Sequence, residues 1–148
     1  MSPVALLIRE RFAADGLEAV PVTSGSKGMQ LYVGLAGTQS SAVVIRYVKR
    51  LAESLARDHP ELVVAKMAKV LRPGKVFLDW SQNNPAKTTI CPYSLRGRAQ
   101  PWVAAPRAWD EVEAGGLQQL TASEVLDRVA DRSDPARRLT DDAYDLPS

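Results

Sequence analysis

A chain of 148 residues with 45% hydrophobic content fits one ordinary domain with a core of its own. No run nears the roughly 20 apolar residues that cross a bilayer. Met1-Ser2-Pro3 does not open a secretory leader, so a cytoplasmic protein with no membrane partner is expected. The single cysteine, Cys91, excludes an internal disulfide, and the single histidine, His59, excludes a multi-histidine or cysteine-histidine metal centre; a bound metal would need oxygen ligands. The net charge of +2 hides an asymmetry: residues 46–98 hold 11 Lys/Arg against 4 Asp/Glu, and residues 110–148 hold 4 against 10. A basic middle suits a phosphate-bearing ligand, although a solvated helix face accounts equally for several of its cations.

In chain order, Pro3 to Ala14 reads as a helix with Ala5, Ile8 and Phe12 on one stripe and Gly16 as its stop. Ala19 to Thr23 is strand-like, but Pro21 demotes it to an edge or to a place where a ladder bond is missing. Met29 to Leu35 is β-rich, so Ser24-Gly25-Ser26-Lys27-Gly28 becomes the tip of a hairpin. Two glycines let consecutive backbone N–H groups converge, the serines add hydroxyls and Lys27 adds a charge, which suits an anion such as phosphate. The same residues are ordinary hairpin chemistry and lack the spacing of a Walker loop.

Ser40 or Ser41 caps the longest helix, from about Ala42 to Asp58, with Val44, Val48, Leu51 and Leu55 facing a core and His59 at its end. Glu61 to Val70 reads as strand, helix, or one after the other. Its Lys66 and Lys69 either turn toward bound phosphate or simply flank a buried strand.

The block from Arg72 to Arg98, RPGKVFLDWSQNNPAKTTICPYSLRGR, is denser in polar residues than a core requires. Lys75 to Leu78 is a short strand that releases a carboxylate, Asp79, where the apolar run stops. Amides, a second β-prone run (Thr88, Thr89, Ile90) and the cations Arg96 and Arg98 follow. Trp102 to Ala105 reads as a strand, Ala108 to Glu113 as a short helix, and Thr121-Ala122-Ser123-Glu124 as a capping box opening another. Trp102 and Trp109 read as core anchors. From Arg132 onward the composition predicts an acidic, loosely held tail, with residues 1–131 as the folded part.

Taken together, PVTSGSKGMQLY (Pro21 to Tyr32) and KVFLDWSQNNPAKTTICPYSLRGR (Lys75 to Arg98) resemble two motifs of the bacterial end-joining primase-polymerases, the archaeo-eukaryotic primase type found as the polymerase domain of ligase D. Weaker similarity continues through AAPRAW and EVLDRV. The resemblance implies an α/β (α+β) fold, a mostly antiparallel sheet with flanking helices. It implies template-directed nucleotidyl transfer in the repair of DNA breaks, with Mn²⁺ or Mg²⁺ as cofactor.

By resemblance, Asp79 is a catalytic, metal-binding carboxylate; Ser24, Lys27, Arg72 and Arg96 contact the triphosphate of the incoming nucleotide, and Gln82 lines the site. Arginine suits such a role because its planar fork grips phosphate bidentately. The implied partners are a nucleoside triphosphate, DNA ends or gapped DNA, and a DNA ligase or end-binding protein.

Two departures stand out. The family's Asp-x-Asp pair should precede the SGSKG turn, and none of the acids before Ser24 (Glu10, Asp15, Glu18) forms one. Gln30 stands where the family motif usually ends in histidine, which removes any proton charge there. The expectation is therefore the C-terminal half of a primase-polymerase core, inactive alone, whose metal site a separately encoded N-terminal half would complete. The rival readings are a non-catalytic nucleotide-, DNA- or partner-binding module, or a truncated relic.

Overall fold

The computed structural model describes residues 2–66, 68–97, 99–131 and 134–147, so the expectations for Arg98 and Arg132 lie outside the described residues. Helix α1 (Ser2–Ala14) buries Val4, Ala5 and Phe12. A hairpin of β1 (Val20–Thr23) and β2 (Met29–Tyr32) follows, and then α2 (Ser41–Asp58). Ser40 is the cap of α2, its Oγ accepting from the Val43 N–H at 3.4 Å, and His59 closes the other end with its N–H on the Leu55 carbonyl.

The open segment after His59 is a strand followed by a tight turn: β3 (Val63–Val64) and a 3₁₀ turn over Lys69–Leu71. Then come β4 (Val76–Phe77), a 3₁₀ turn over Trp80–Asn83, β5 (Ala105–Pro106), α3 (Trp109–Ala114) and α4 (Ala122–Asp131). The capping box at α4 forms as read, the Glu124 N–H reaching Thr121 Oγ1 at 3.3 Å and the Thr121 N–H reaching Glu124 Oε1 at 3.4 Å.

The strands make two sheets, an antiparallel one ordered β2-β1-β5 and a parallel pair β3-β4. Pro21 is thus in a central strand, and of its two sequence readings the missing ladder bond is the one realised. Arg107 donates its N–H to the Pro21 carbonyl at 2.8 Å, and the return bond is one that proline cannot make. Thr88 to Ile90 forms no strand, because the chain there is spent on closing a turn by Lys87 N–H to Asn84 carbonyl and on giving the Ile90 carbonyl to Tyr32. Val103 makes only isolated bridges, to Leu95 and Leu120, so the strand expected over Trp102 to Ala105 is displaced to Ala105–Pro106.

Phe12, Leu17, Ala19, Tyr47 and Leu146 form one buried cluster, and Val4, Leu55 and Val63 another. Trp109 anchors its end of the core by donating Nε1–H to the Ala19 carbonyl at 2.9 Å, with Arg9 lying over its ring.

Residues 134–147, whose composition suggests a loose tail, pack back onto this core. A 3₁₀ turn (Pro135–Arg137) and α5 (Arg138–Asp141) bring Arg138 to Glu18. Tyr144 bridges to Leu35, and the Gln39 side chain exchanges hydrogen bonds with both backbone groups of Leu146. Gly34 permits the approach, since a Cβ there would come within 2.9 Å of the Leu139 and Asp142 carbonyls. Composition conceals this docking because one buried leucine and one tyrosine suffice for it.

Candidate nucleotide site

The SGSKG turn is tightly built. Ser24 donates its N–H to the Gly28 carbonyl at 3.0 Å, closing the hairpin. The Ser26 and Gly28 amides both donate to Ser24 Oγ at 3.2 Å, and the Gly25 amide donates to Gln119 Oε1 at 2.9 Å. Backbone amides do converge, as two glycines suggested, but the point of convergence is the chain's own hydroxyl. What the turn presents outward is the exposed Lys27.

Gly25 has φ +75°, a conformation costly for any residue with a Cβ. A Cβ there would also lie 2.4 Å from Arg96 Cγ and 3.2 Å from the Trp102 carbonyl oxygen. The glycine therefore seats the Arg96 side chain against the turn, and Arg96 is fixed from its own side by its N–H on the Trp102 carbonyl at 2.9 Å. Two motifs about 70 residues apart are joined at this contact.

Across an open cleft of about 690 Å³, β4 delivers the second group of residues. Asp79 ends the apolar run and caps the 3₁₀ turn, Oδ1 accepting from the Ser81 N–H at 3.1 Å and from its hydroxyl at 2.6 Å. Lys87 Nζ donates to the same hydroxyl at 2.6 Å. Ser24, Gly28, Gln30, Asp79 and Gln82 all line this cleft. Arg72 reaches its wall indirectly, its guanidinium 4.1 Å from the centre of the Phe77 ring. Lys27 and Arg96 stand at the turn rather than among the lining residues. At position 30, where a histidine was the family expectation, Gln30 Oε1 lies 2.8 Å from the Tyr32 hydroxyl, which is also 2.7 Å from the Ile90 carbonyl. The Tyr32 hydroxyl is the donor to both, so Gln30 Oε1 and the Ile90 carbonyl share its one hydrogen.

The described residues do not make a metal site by themselves. No group of three or more His, Cys, Asp or Glu that could hold an ion occurs among the described residues. Asp79 offers one carboxylate with one oxygen already occupied, whereas two-metal chemistry needs several.

A buried network behind the turn escaped the sequence reading. Arg107 is 4% exposed, and its Nε–H donates to Thr23 Oγ1 at 3.1 Å, at the last residue before the turn. Its Nη2 donates to the Gln118 carbonyl, next to the Gln119 that holds Gly25. Glu111 sits 3.8 Å from Arg107 Nη1 and is gripped by Arg128. The only signal was an arginine in the apolar run of AAPRAW, which periodicity alone places at the surface.

Burial works to raise the Glu111 carboxyl, but its bonds to Arg128 and to the Ala108 N–H, with the nearby Arg107 charge, hold it below the usual carboxylate range. A lowered folded value contributes stability that is present above the unfolded pKa, about 4.3, and is lost as pH falls through the folded one. Glu111→Gln should accordingly lower Tm at neutral pH and flatten its decline between about pH 5 and pH 3. An unchanged acid limb in thermal melts would remove Glu111 as a contributor.

The family model for the LigD primase-polymerase domain matches residues 1–136. The chain belongs to this family. Among LigD proteins, it is 50% identical over 143 residues to the multifunctional non-homologous end joining DNA repair protein LigD of Mycobacterium tuberculosis, covering 97% of this chain and 19% of that protein. With LigD of Mycolicibacterium smegmatis it shares 55% identity over 127 residues, 86% of this chain and 17% of the relative. With bifunctional LigD of Bacillus subtilis it shares 35% over 122 residues, 81% and 20%.

The fold matches the solved polymerase domain from M. tuberculosis ligase D in complex with DNA, with a TM-score of 0.91 and 50% identity, over 97% of this chain and 50% of that one. The α/β reading with an antiparallel sheet and flanking helices therefore holds. The chain spans about a fifth of the length of these LigD relatives and half of the solved domain.

Proposed function

We propose that this chain is the half of a LigD-type polymerase core that binds the triphosphate of an incoming nucleotide and supplies one carboxylate, Asp79, toward a divalent metal. The reaction of the complete core would be nucleotidyl transfer to a 3′-end at DNA breaks. The observation that supports this reading most is the seat of Arg96 on Gly25, which joins an arginine to the SGSKG turn, whose Ser24 and Gly28 line a cleft shared with Asp79 and Gln82. Phosphoryl transfer asks a protein mainly for positioning and for charge neutralisation. Lys27 and Arg96 supply the cations, Ser24 a hydroxyl that shapes the turn, Arg72 a further cation behind Phe77, and Gln82 an amide on the cleft wall.

Manganese or magnesium would be the metal, with further carboxylates coming from outside the residues present here. On its own, this chain therefore binds nucleotide without completing the reaction. Equilibrium binding of a fluorescent nucleoside triphosphate in manganese tests this. Lys27→Ala and Arg96→Ala should each weaken affinity about tenfold or more, the worth of one charge-assisted phosphate contact. Asp79→Asn should reduce the gain in affinity that manganese provides while leaving metal-free binding in place. Wild-type affinity in both cation variants would sink the cradle. Primer extension on gapped, 5′-phosphorylated DNA should be absent with this chain alone, and extension lost in Asp79→Ala would instead mean that the metal site is complete.

A further inference from the structure

Tyr93 is the one residue other than glycine with a positive φ among the described residues, at +73°. It falls in the stretch PYSLR, three residues before Arg96. The Ser94 N–H closes on the Cys91 carbonyl at 3.1 Å, with Pro92 and Tyr93 as the central residues of the turn. Proline first and a left-handed residue second make a type II turn, whose second central position glycine or asparagine ordinarily fills. A tyrosine there keeps a conformation that its Cβ disfavours.

The turn feeds directly into a bulge. The Tyr93 N–H donates to the Ala104 carbonyl at 2.7 Å and the Ala104 N–H to the Ser94 carbonyl at 2.8 Å, so two residues, Tyr93 and Ser94, stand opposite one. The first residue of such a bulge is ordinarily a left-handed glycine. Beyond it the pairing is regular: Leu95 bridges Val103, and the Arg96 N–H meets the Trp102 carbonyl at 2.9 Å. Side chains alternate faces along an extended arm, so the extra residue decides which face Arg96 takes. With the bulge in place Arg96 meets Gly25 of the SGSKG turn, and a slip of one residue would turn it to the opposite face.

A disfavoured backbone persists only where its surroundings hold it. The Tyr93 ring packs on Val103, Ala105 and Val125, and its hydroxyl donates to Asp134 Oδ1. Asp134 is itself fixed, the same oxygen accepting the Ala136 N–H at 2.9 Å as the cap of the 3₁₀ turn over Pro135–Arg137. Burial and the Asp134 carboxylate keep the phenol above its ordinary range, so it remains a donor. We propose that Tyr93 is a positioning residue for Arg96: clamped by Asp134, it holds the bulge that aims Arg96 at the SGSKG turn, and so couples triphosphate affinity to residues 134–147. The proposal rests on Arg96 meeting the triphosphate and assigns what places it there.

The test is titration of a fluorescent nucleoside triphosphate in manganese against the full chain and a set of variants, each first shown to be folded by circular dichroism. Tyr93→Phe, which loses only the hydroxyl, and Asp134→Ala should each weaken affinity about fivefold, and Asp134→Asn, which keeps an acceptor oxygen, should stay within about twofold of the parent. Tyr93→Gly suits the left-handed turn without strain but has no clamp, so it should lose affinity at least as far as Tyr93→Phe. In an Arg96→Ala background, Tyr93→Phe should change nothing further, because its effect passes through that arginine. Parental affinity in both Tyr93→Phe and Tyr93→Gly, with Arg96→Ala still damaging, would overturn the proposal and leave the cradle standing. A Tyr93→Phe loss that persists undiminished in the Arg96→Ala background would also overturn it, since the tyrosine would then act on the fold at large. Full affinity in Arg96→Ala would retire the cradle reading itself, and the positioning role with it.

Discussion

Gly25→Ala should lower triphosphate affinity at least about tenfold and destabilise the fold by about 2–4 kcal/mol, whereas Gly37→Ala should cost only about 1–2 kcal/mol and leave affinity unchanged. Both glycines have positive φ, +75° and +82°, so both alanines incur the left-handed penalty. They differ in what the new methyl meets. At Gly37 there is nothing within 4 Å, while at Gly25 the methyl meets Arg96 Cγ at 2.4 Å and a backbone carbonyl at 3.2 Å. Arg96 Cγ is near the root of its side chain and cannot simply swing aside at a distal bond. The arginine must leave the turn or the turn must shift from Trp102. The difference between the two variants thus isolates the Gly25–Arg96 contact from backbone strain, read by thermal melts and nucleotide titration on the same preparations. Equal losses in both would show that the contact contributes nothing to binding.

Much of the local structure around the candidate residues was legible in sequence because its signals are local. Serines, glycines and a lysine between two β-rich runs define a hairpin tip whatever surrounds it. An acid at the end of an apolar run has to emerge at a strand end, as Asp79 does. What stayed hidden depends on distant partners. No local pattern tells that the Ser26 and Gly28 amides close on Ser24 Oγ, or that Gln119 holds Gly25 from 94 residues away. Pro21 left two readings open because a missing donor is equally tolerable at an edge and at a central position without a return bond; only the placement of Arg107 decides. The packing of residues 134–147 was hidden for a different reason. Its many carboxylates describe the solvent face of residues 134–147, while docking rests on Leu146, Tyr144 and the absence of a side chain at Gly34, which composition averages away. Thr88 to Ile90 has β-prone residues, yet propensity in so short a run yields to whatever partners are within reach.

A stability effect of comparable size is expected at Arg107, although it touches no residue proposed to meet nucleotide. Arg107→Met keeps the length and apolar stem of the side chain but loses the bonds to Thr23 and Gln118, leaving the buried Thr23 hydroxyl and the part-buried Gln118 carbonyl without their donor. Lost hydrogen bonds from a charged donor are worth about 1.5–3 kcal/mol each, and the methionine stem recovers part of this by burial, so a net loss of about 3 kcal/mol is expected. For a chain of this size that is a fall in Tm of about 6–12 °C. Arg107→Lys should recover little, because one ammonium cannot span Thr23 on one side and Gln118 on the other as the guanidinium fork does. Arg11→Ala is the contrast: its ion-pair partner Asp58 is exposed and Ser54 only half-buried, and less than about 1 kcal/mol should follow. A functional consequence separates Arg107 from an ordinary core residue. Thr23 enters the SGSKG turn and Gln118 precedes the residue that holds Gly25, so loosening both should speed amide exchange at Gly25 and weaken triphosphate binding in the folded variant at low temperature. Loss of stability with undisturbed exchange at Gly25 and full nucleotide affinity would reduce Arg107 to a packing residue, and the turn would then owe its shape to Ser24 Oγ, the Ser24–Gly28 bond and Gln119 without help from Arg107.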